Sequence, residues 1–302
     1  MRFDSYHPAI NFIFFTAVIA FTVIFRHPVY LAISYAAAFA YSVKLNGRRG
    51  FSFNLALIPF ITLWTWIYAS FTHFGVTNIG ETAVGNMITL ESLIYGVVTG
   101  VTAAAVLMWM ACVHATVSSD KVVYLFGRVT PKLSLFLSIL LRLIPRIKDR
   151  ARRISTARRA VGRGTNQGNL VRRCINAVQL ASIVTTWTME NMIETADSMR
   201  SRGYALKGRS SFSIYRFDNR DRSFVIMLCA EITAALAGFA LDQTKVLYDP
   251  QIIVNPVTPT SYLFYGAYAF LNVLPMTLQL LREWWFKRQS DILKNVKDNT
   301  IQ

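Results

Sequence analysis

Three carboxylates, Glu190, Glu194 and Asp197, recur at helical spacing inside an otherwise basic stretch. Side chains three or four residues apart share a helix face. Such a set can serve as a general acid–base pair, or it can pair with arginines on a helix packed across it. The arginine-rich surroundings favour ion pairing over catalysis. Cys112, Cys174 and Cys229 lie far apart in apolar or helical stretches, without CxxC or Cys/His spacing, and read as small buried hydrophobes. His7, His27, His73 and His114 are equally scattered, so neither a metal site nor a resident cofactor is expected. No G-x-x-x-x-G-K-S/T loop is present to cradle a nucleotide phosphate.

What remains is arginine beside glycine. Two segments, Arg159-Ala160-Val161-Gly162-Arg163 and Arg200-Ser201-Arg202-Gly203, each set a small residue and a glycine among arginines. An arginine at a helix tip can form bidentate, charge-assisted bonds to carboxylates. A glycine after it permits a sharp turn, so that the tip can enter a groove on a partner. The plainer reading of Arg202 is a cation settled at a helix C-terminus by the helix dipole. Arg150, Arg152, Arg153, Arg158, Arg172 and Arg173 read as a solvated or headgroup-facing surface.

The elements that must position these tips are mostly apolar. The chain has 302 residues, 53% hydrophobic and 16% charged, against about a quarter charged in soluble domains. Its net charge is +16, and residues 117–217 hold 19 of the Lys+Arg but only 5 of the Asp+Glu. Six apolar spans are expected at roughly 9–25, 29–44, 53–73, 89–115, 221–241 and 261–281. The second is short and would tilt or cross only partly. The first ends in Arg26-His27-Pro28 without a small-residue cleavage pattern and reads as a retained helix. Lys44, Arg48 and Arg49 follow the second span, whereas the 74–88 loop has no Lys or Arg. The positive-inside rule then puts the basic island and both termini in the cytoplasm, with Arg26 as a minor exception. A basic region between membrane spans argues against nucleic acid as its partner. Trp64, Trp66, Tyr68, Trp284 and Trp285 suit interfacial belts.

Within the island, Ser119-Asp120 caps a short helix expected to run through Leu125, with Gly127 and Pro131 breaking the chain. Leu133–Leu143 is apolar and reaches back to the bilayer edge, and Pro145 kinks a long helix. Beyond it Ile147, Ala151, Ile154, Ala157 and Val161 form an amphipathic stripe. Gly162, Gly164 and Thr165-Asn166-Gln167-Gly168 stop that helix. A second helix opens at Asn169, with a stripe of Leu170, Cys174, Ala177, Ala181, Val184, Thr188, Met192, Ala196 and Met199, and closes at Gly203. The two would cross and pack as a lever pair. Trp187, Met189, Met192 and Met199 serve packing or soft contact with a moving partner.

The second helix ends Glu194-Thr195-Ala196-Asp197-Ser198-Met199-Arg200-Ser201-Arg202-Gly203-Tyr204. This resembles the transmembrane T component of energy-coupling factor (ECF) transporters, the EcfT/CbiQ-like family, whose acidic, alanine-rich helix ends in Ala-Arg-Gly and an aromatic. Here Ser201 replaces the alanine. Leu141-Arg142-Leu143-Ile144-Pro145 is similar to the segment that opens the family's first coupling helix, and His7-Pro8 resembles a family feature before the first span, or simply starts an interfacial helix. The first coupling motif departs from small-Arg-Gly, reading Ala160-Val161-Gly162. Either Arg159 or Arg163 supplies the charge, or Gly162-Arg163-Gly164 is the equivalent one step later.

The resemblance implies a non-catalytic scaffold and energy-coupling subunit of an ECF-type importer for a vitamin or a metal, in a bacterial or archaeal cell membrane. Each tip would seat on one of two cytoplasmic ATP-binding subunits, and the levers would pass their motion to a separate substrate-binding membrane subunit. The expected fold is all-α and polytopic, with N-terminal spans in 1–116, a cytoplasmic coupling region in 117–217, and C-terminal spans with a basic tail in 218–302. The alternative is a self-contained membrane transporter or an intramembrane enzyme. That class buries ionisable groups in its spans, and here only Glu231 and the marginal Glu91 qualify.

Overall fold

A computed structural model describes the backbone of residues 5–72, 74–81, 87–129, 131–204, 206, 215, 217–249 and 251–300, and their side chains except at 81, 126–129, 131, 132, 134 and 291–300. His73 lies outside the described residues. In chain order the elements are α1 (Pro8–Ile24), α2 (Pro28–Asn46), α3 (Arg48–Phe71), β1 (Asn78–Glu81), β2 (Met87–Thr89), α4 (Leu90–Thr116), α5 (Ser119–Val129), α6 (Pro131–Ala160), α7 (Leu170–Ser201), α8 (Asn219–Ala240), β3 (Val246–Leu247), β4 (Ile253–Val254) and α9 (Pro259–Thr300). The chain divides into two compact units, Met1–Ser118 with Tyr215–Gln302, and Ser119–Ile214.

Local chemistry starts the helices of the first unit. Both α1 and α2 open on His-Pro. His7 Nδ1 accepts from the Ala9 amide and His27 Nδ1 from the Val29 amide, each at 3.3 Å. The proline that follows fixes φ where no amide partner would be lost. Thr89 caps α4 by accepting from the Ser92 amide at 3.3 Å. Asp218 and Asp221 form a reciprocal capping box on α8.

Among the described residues α3, α4, α8 and the Pro259–Ser290 part of α9 are long and apolar enough to cross a membrane, and α1 is a shorter apolar helix. Six helices lie where six spans were expected, and the architecture is that of an all-α polytopic membrane protein. In lipid, close packing and interhelical hydrogen bonds hold helices together, because apolar burial adds little. The core follows that logic. Trp109 of α4 is fully buried, meets Phe14 and Phe15 edge-on, and donates to Ser34 Oγ at 3.1 Å. Ser34 in turn bonds Thr22 Oγ1 at 2.6 Å. Small residues let α2 approach its neighbours: Ala37, Ala38, Ser34 and Ser42 are buried. At Gly50 of α3 a Cβ would sit 2.6 Å from the Ser42 carbonyl oxygen, so only glycine permits this approach.

One end of the unit is tied by charge. Tyr6 is flanked by the Arg220 and Arg282 guanidinium groups at 4.7 and 5.3 Å, and Lys44 Nζ lies 2.5 Å from Glu283 Oε2. At the α1–α2 turn Arg26 donates to Tyr95 OH at 2.6 Å, while its carbonyl accepts from Tyr248 OH at 2.8 Å. Burial pushes the Tyr248 phenol up to about 12, keeping it a donor. Arg26, which stands against the charge asymmetry, is thus held by aromatic partners.

Three features differ from expectation. Arg48 and Arg49 form the first turn of α3 rather than a loop, because Gly47 alone, at φ 59, turns the chain after α2. The 74–88 and 242–260 connections each carry a short antiparallel ladder, β1–β2 and β3–β4. Helix α9 continues through Thr300 where a basic tail was expected after the span, since Lys, Arg, Gln and Leu are good helix formers.

In the second unit α5 runs past Leu125 to Val129, so Gly127 does not end it, and α6 opens at Pro131. Helix α6 is continuous through Pro145. At about 1.5 Å rise per residue, the 30 residues of α6 and 32 of α7 make rods of roughly 45 and 48 Å.

Candidate functional site

Both long helices of the second unit end on the same backbone turn. In α7, Gly203 has φ +76, its amide donates to Arg200 O at 3.1 Å, and the Tyr204 amide donates to Met199 O at 3.2 Å. In α6, Gly162 has φ +73, its amide donates to Arg159 O at 3.1 Å, and the Arg163 amide donates to Arg158 O at 2.9 Å. This is the paired bonding of a Schellman cap, with glycine in the left-handed position just beyond the helix. The shared geometry fixes the register of the two ends. Gly162 is the counterpart of Gly203, Ala160 of Ser201, and Val161 of Arg202. Gly164 is buried and has no positive φ, so the reading one step later does not match the turn.

The two apices therefore present different chemistry from one scaffold. Arg202 is exposed at the second. Val161 is 76% exposed at the first, with Arg159 and Arg163 exposed on either side. The first apex is also braced. Gly164 N donates to Gln167 Oε1 at 2.9 Å, Asn176 Nδ2 to Gly164 O at 3.1 Å, and Arg173 Nε to Thr165 O at 3.3 Å. The loop after α6 is thereby fastened to the opening turns of α7, and Asn169 stands at the N-cap without a side-chain bond.

Helices α6 and α7 face one another in antiparallel order. Arg158 Nη2 donates to Gln179 Oε1 at 2.6 Å, and the Arg150 guanidinium stacks 5.2 Å from the Trp187 ring. Leu143 and Val184 are buried on the facing sides. Trp187 thus acts in packing. Of the expected α7 stripe, Val184 is buried and Thr188 and Met199 half-buried, but Leu170, Cys174, Ala177, Ala181, Met192 and Ala196 are exposed. The covered line runs Asn176, Leu180, Val184, Trp187, Asn191, Thr195 and Met199. On α6, Ile147, Ala151 and Ile154 are half-buried while Ala157 and Val161 are exposed.

This offset leaves a second apolar line on α7 uncovered: Val171, Ile175, Val178, Met189 and Ile193 are all exposed. Its signal was in the sequence, as apolar residues on two faces of one helix. Periodicity finds both faces and does not say which one a neighbour covers.

The expected pairing of the carboxylates with arginines of α6 does not form among the described residues. Glu190, Glu194 and Asp197 are exposed, and no ion pair forms with them among the described residues. They stand off the α6-facing line, so the arginines of α6 meet Trp187 and Gln179 instead. The cysteines also divide. Cys112 is buried, whereas Cys174 and Cys229 are exposed, each on a helix face that its own unit leaves open. Among the described residues no group of three or more metal-ligating side chains converges.

The two acids in membrane helices differ from each other. Glu91 is buried and accepts from Thr77 Oγ1 at 2.6 Å and from the Thr77 amide at 3.3 Å, which fastens the segment before β1 to α4. Glu231 of α8 has one carboxylate oxygen buried without a hydrogen-bond partner among the described residues.

Fold and site together define a multi-pass membrane protein that carries a basic two-helix unit with glycine-capped tips. The family model described as cobalt transport protein, CbiQ, matches residues 5–213. The chain belongs to that family, the T component of ECF transporters, and is a transport component rather than a catalyst. No curated protein matches the chain.

Proposed function

We propose that this protein is the scaffold and energy-coupling subunit of an ECF-type importer, lying in a bacterial or archaeal cell membrane with both termini in the cytoplasm. The observation that carries the reading is the pair of identically built tips, Ala160-Val161-Gly162 and Ser201-Arg202-Gly203, on rods of near-equal length. Each tip seats on one of two cytoplasmic ATP-binding subunits. Arg202 offers a planar fork suited to a carboxylate on one of them. Val161 offers an apolar knob to the other, with Arg159 and Arg163 as its charged flanks. Closure of the ATP-binding subunits moves the tips. The uncovered apolar line on α7, Val171 to Ile193, takes the separate substrate-binding membrane subunit, and the flexible Met189 suits a contact that slides. The cargo is a metal or a vitamin, selected by that other subunit.

The competing reading, a self-contained transporter, draws on Glu231, because a carboxylate in a membrane helix marks a functional site by default. Uptake into liposomes separates the two. With this chain alone no ATP-dependent uptake is expected, and uptake appears when the two ATP-binding subunits and the substrate-binding subunit are added. Uptake by this polypeptide alone would overturn the coupling assignment.

A further inference from the structure

We infer that the second unit holds a site for an anionic phospholipid, in the groove between the first half of α6 and the last turns of α7. The groove has a volume of about 390 Å³, within the range of roughly 300–1,000 Å³ typical of small-ligand sites. Its wall is apolar, formed by Phe136, Ile139, Met192 and Met199, and its rim carries Arg142 and Arg146. The two arginines are four residues apart and so project from one face of α6. Both are exposed, and neither has a carboxylate partner among the described residues.

That combination fits an amphiphile with a negative head. An acyl chain matches the apolar wall, and a phosphate matches two guanidinium groups, which bind it through paired N–H donors. The layout of α6 points to a lipid rather than a soluble anion. Leu133, Leu135 and Phe136 are exposed in the first turns, whereas Lys148, Arg150, Arg152 and Arg153 crowd the turns after Pro145. A helix that passes from bare apolar to basic surface is built to sit at the boundary of hydrocarbon and headgroup. Arg142 and Arg146 stand at that change. The exposed acids of α7, Glu190, Glu194 and Asp197, do not line the groove and do not oppose a phosphate there. The inference does not depend on the coupling assignment: a lipid clamp would hold the unit at the membrane whatever its tips touch.

The test uses the full-length chain in a neutral detergent, with phosphatidylglycerol, phosphatidylcholine and inorganic phosphate as probes and native mass spectrometry as the readout. Phosphatidylglycerol should be retained in preference to phosphatidylcholine. Each arginine near an anionic surface contributes about fivefold in affinity, so Arg142→Gln with Arg146→Gln should weaken retention roughly thirtyfold. Arg152→Gln with Arg153→Gln, exposed outside the groove, should weaken it far less. Inorganic phosphate should compete poorly, because it lacks the chain. A Met199→Trp reporter should be quenched by brominated-chain phosphatidylglycerol, read as the difference from the parent protein. Equal retention of the two lipids, equal loss from both arginine pairs, or full competition by phosphate would each overturn the site. So would cross-links from Met192→Cys to a co-purified membrane subunit, since these would give the groove to a protein.

Discussion

Replacing Gly203 by alanine should loosen the end of α7 without unfolding the helix. At φ +76 a residue with a Cβ is strained, by roughly 1–2 kcal/mol in the left-handed region. The new Cβ would lie 3.2 Å from Leu206 Cδ1, the far end of a flexible side chain, so contact adds little to that cost. Opening the cap releases the Gly203 and Tyr204 amides from Arg200 O and Met199 O. A penalty of about 1–2 kcal/mol corresponds to roughly 5–30-fold faster amide exchange. Hydrogen–deuterium exchange on the full-length protein in detergent, followed in a peptide covering 196–206, reads this directly. Gly203→Asn should exchange less than the alanine variant, because asparagine tolerates the left-handed region. Gly203→Val should exchange more, because β-branching narrows its backbone choices. Gly162→Ala is the companion measurement, since its φ is +73 and no heavy atom lies within 4 Å of its Cβ position. The cost there is that of backbone alone and should match Gly203→Ala closely. If Gly203→Ala exchanged at the parent rate, or if asparagine were worse than alanine, the shared-cap argument would fail.

Other expectations follow from the first unit and from the acids. Ser34→Ala removes the acceptor for the fully buried Trp109 indole and should cost about 1–3 kcal/mol, seen as a lower denaturation midpoint in detergent. His27 is buried, its pKa is lowered by desolvation, and its Nδ1 caps α2. The fold therefore holds the neutral ring, and stability present above the ordinary value of 6.5 is lost as pH falls below it. The melting temperature should drop on acidification from about pH 7 to about 5.5, and drop less in His27→Asn, which keeps a cap without titrating. Glu231→Gln should leave uptake by the assembled transporter unchanged. Abolished uptake with normal assembly would favour a transport role for that carboxylate.

How much of this was legible in the sequence depended on how far each signal reached along the chain. Long apolar runs located all six helices of the first unit to within a few residues at most ends. The left-handed glycines were equally legible, because Gly162 and Gly203 each follow an amphipathic run. The register of the first tip was not, since Arg163 and Gly164 offered a second arginine–glycine reading and only the bonds to Arg158 and Arg159 decide between them. Gly127 misled because a single glycine costs a helix about 1 kcal/mol, less than flanking residues can offset. The ladders between helices were invisible, because strands of two to four residues leave almost no alternation to detect. The acids of α7 misled for a different reason. Their spacing was real, but which face meets α6 is decided by the fit of Trp187 and Val184, a property of two helices together.

The central claim is that the second tip engages an ATP-binding subunit through Arg202. The most direct measurement is co-purification of both ATP-binding subunits with the tagged, full-length chain carrying Arg202→Glu or Val161→Glu. Reversing the charge of Arg202 should release one subunit, and placing a charge at Val161 should release the other, while the tagged chain keeps its own fold. Undiminished recovery of both subunits with both variants would contradict the account.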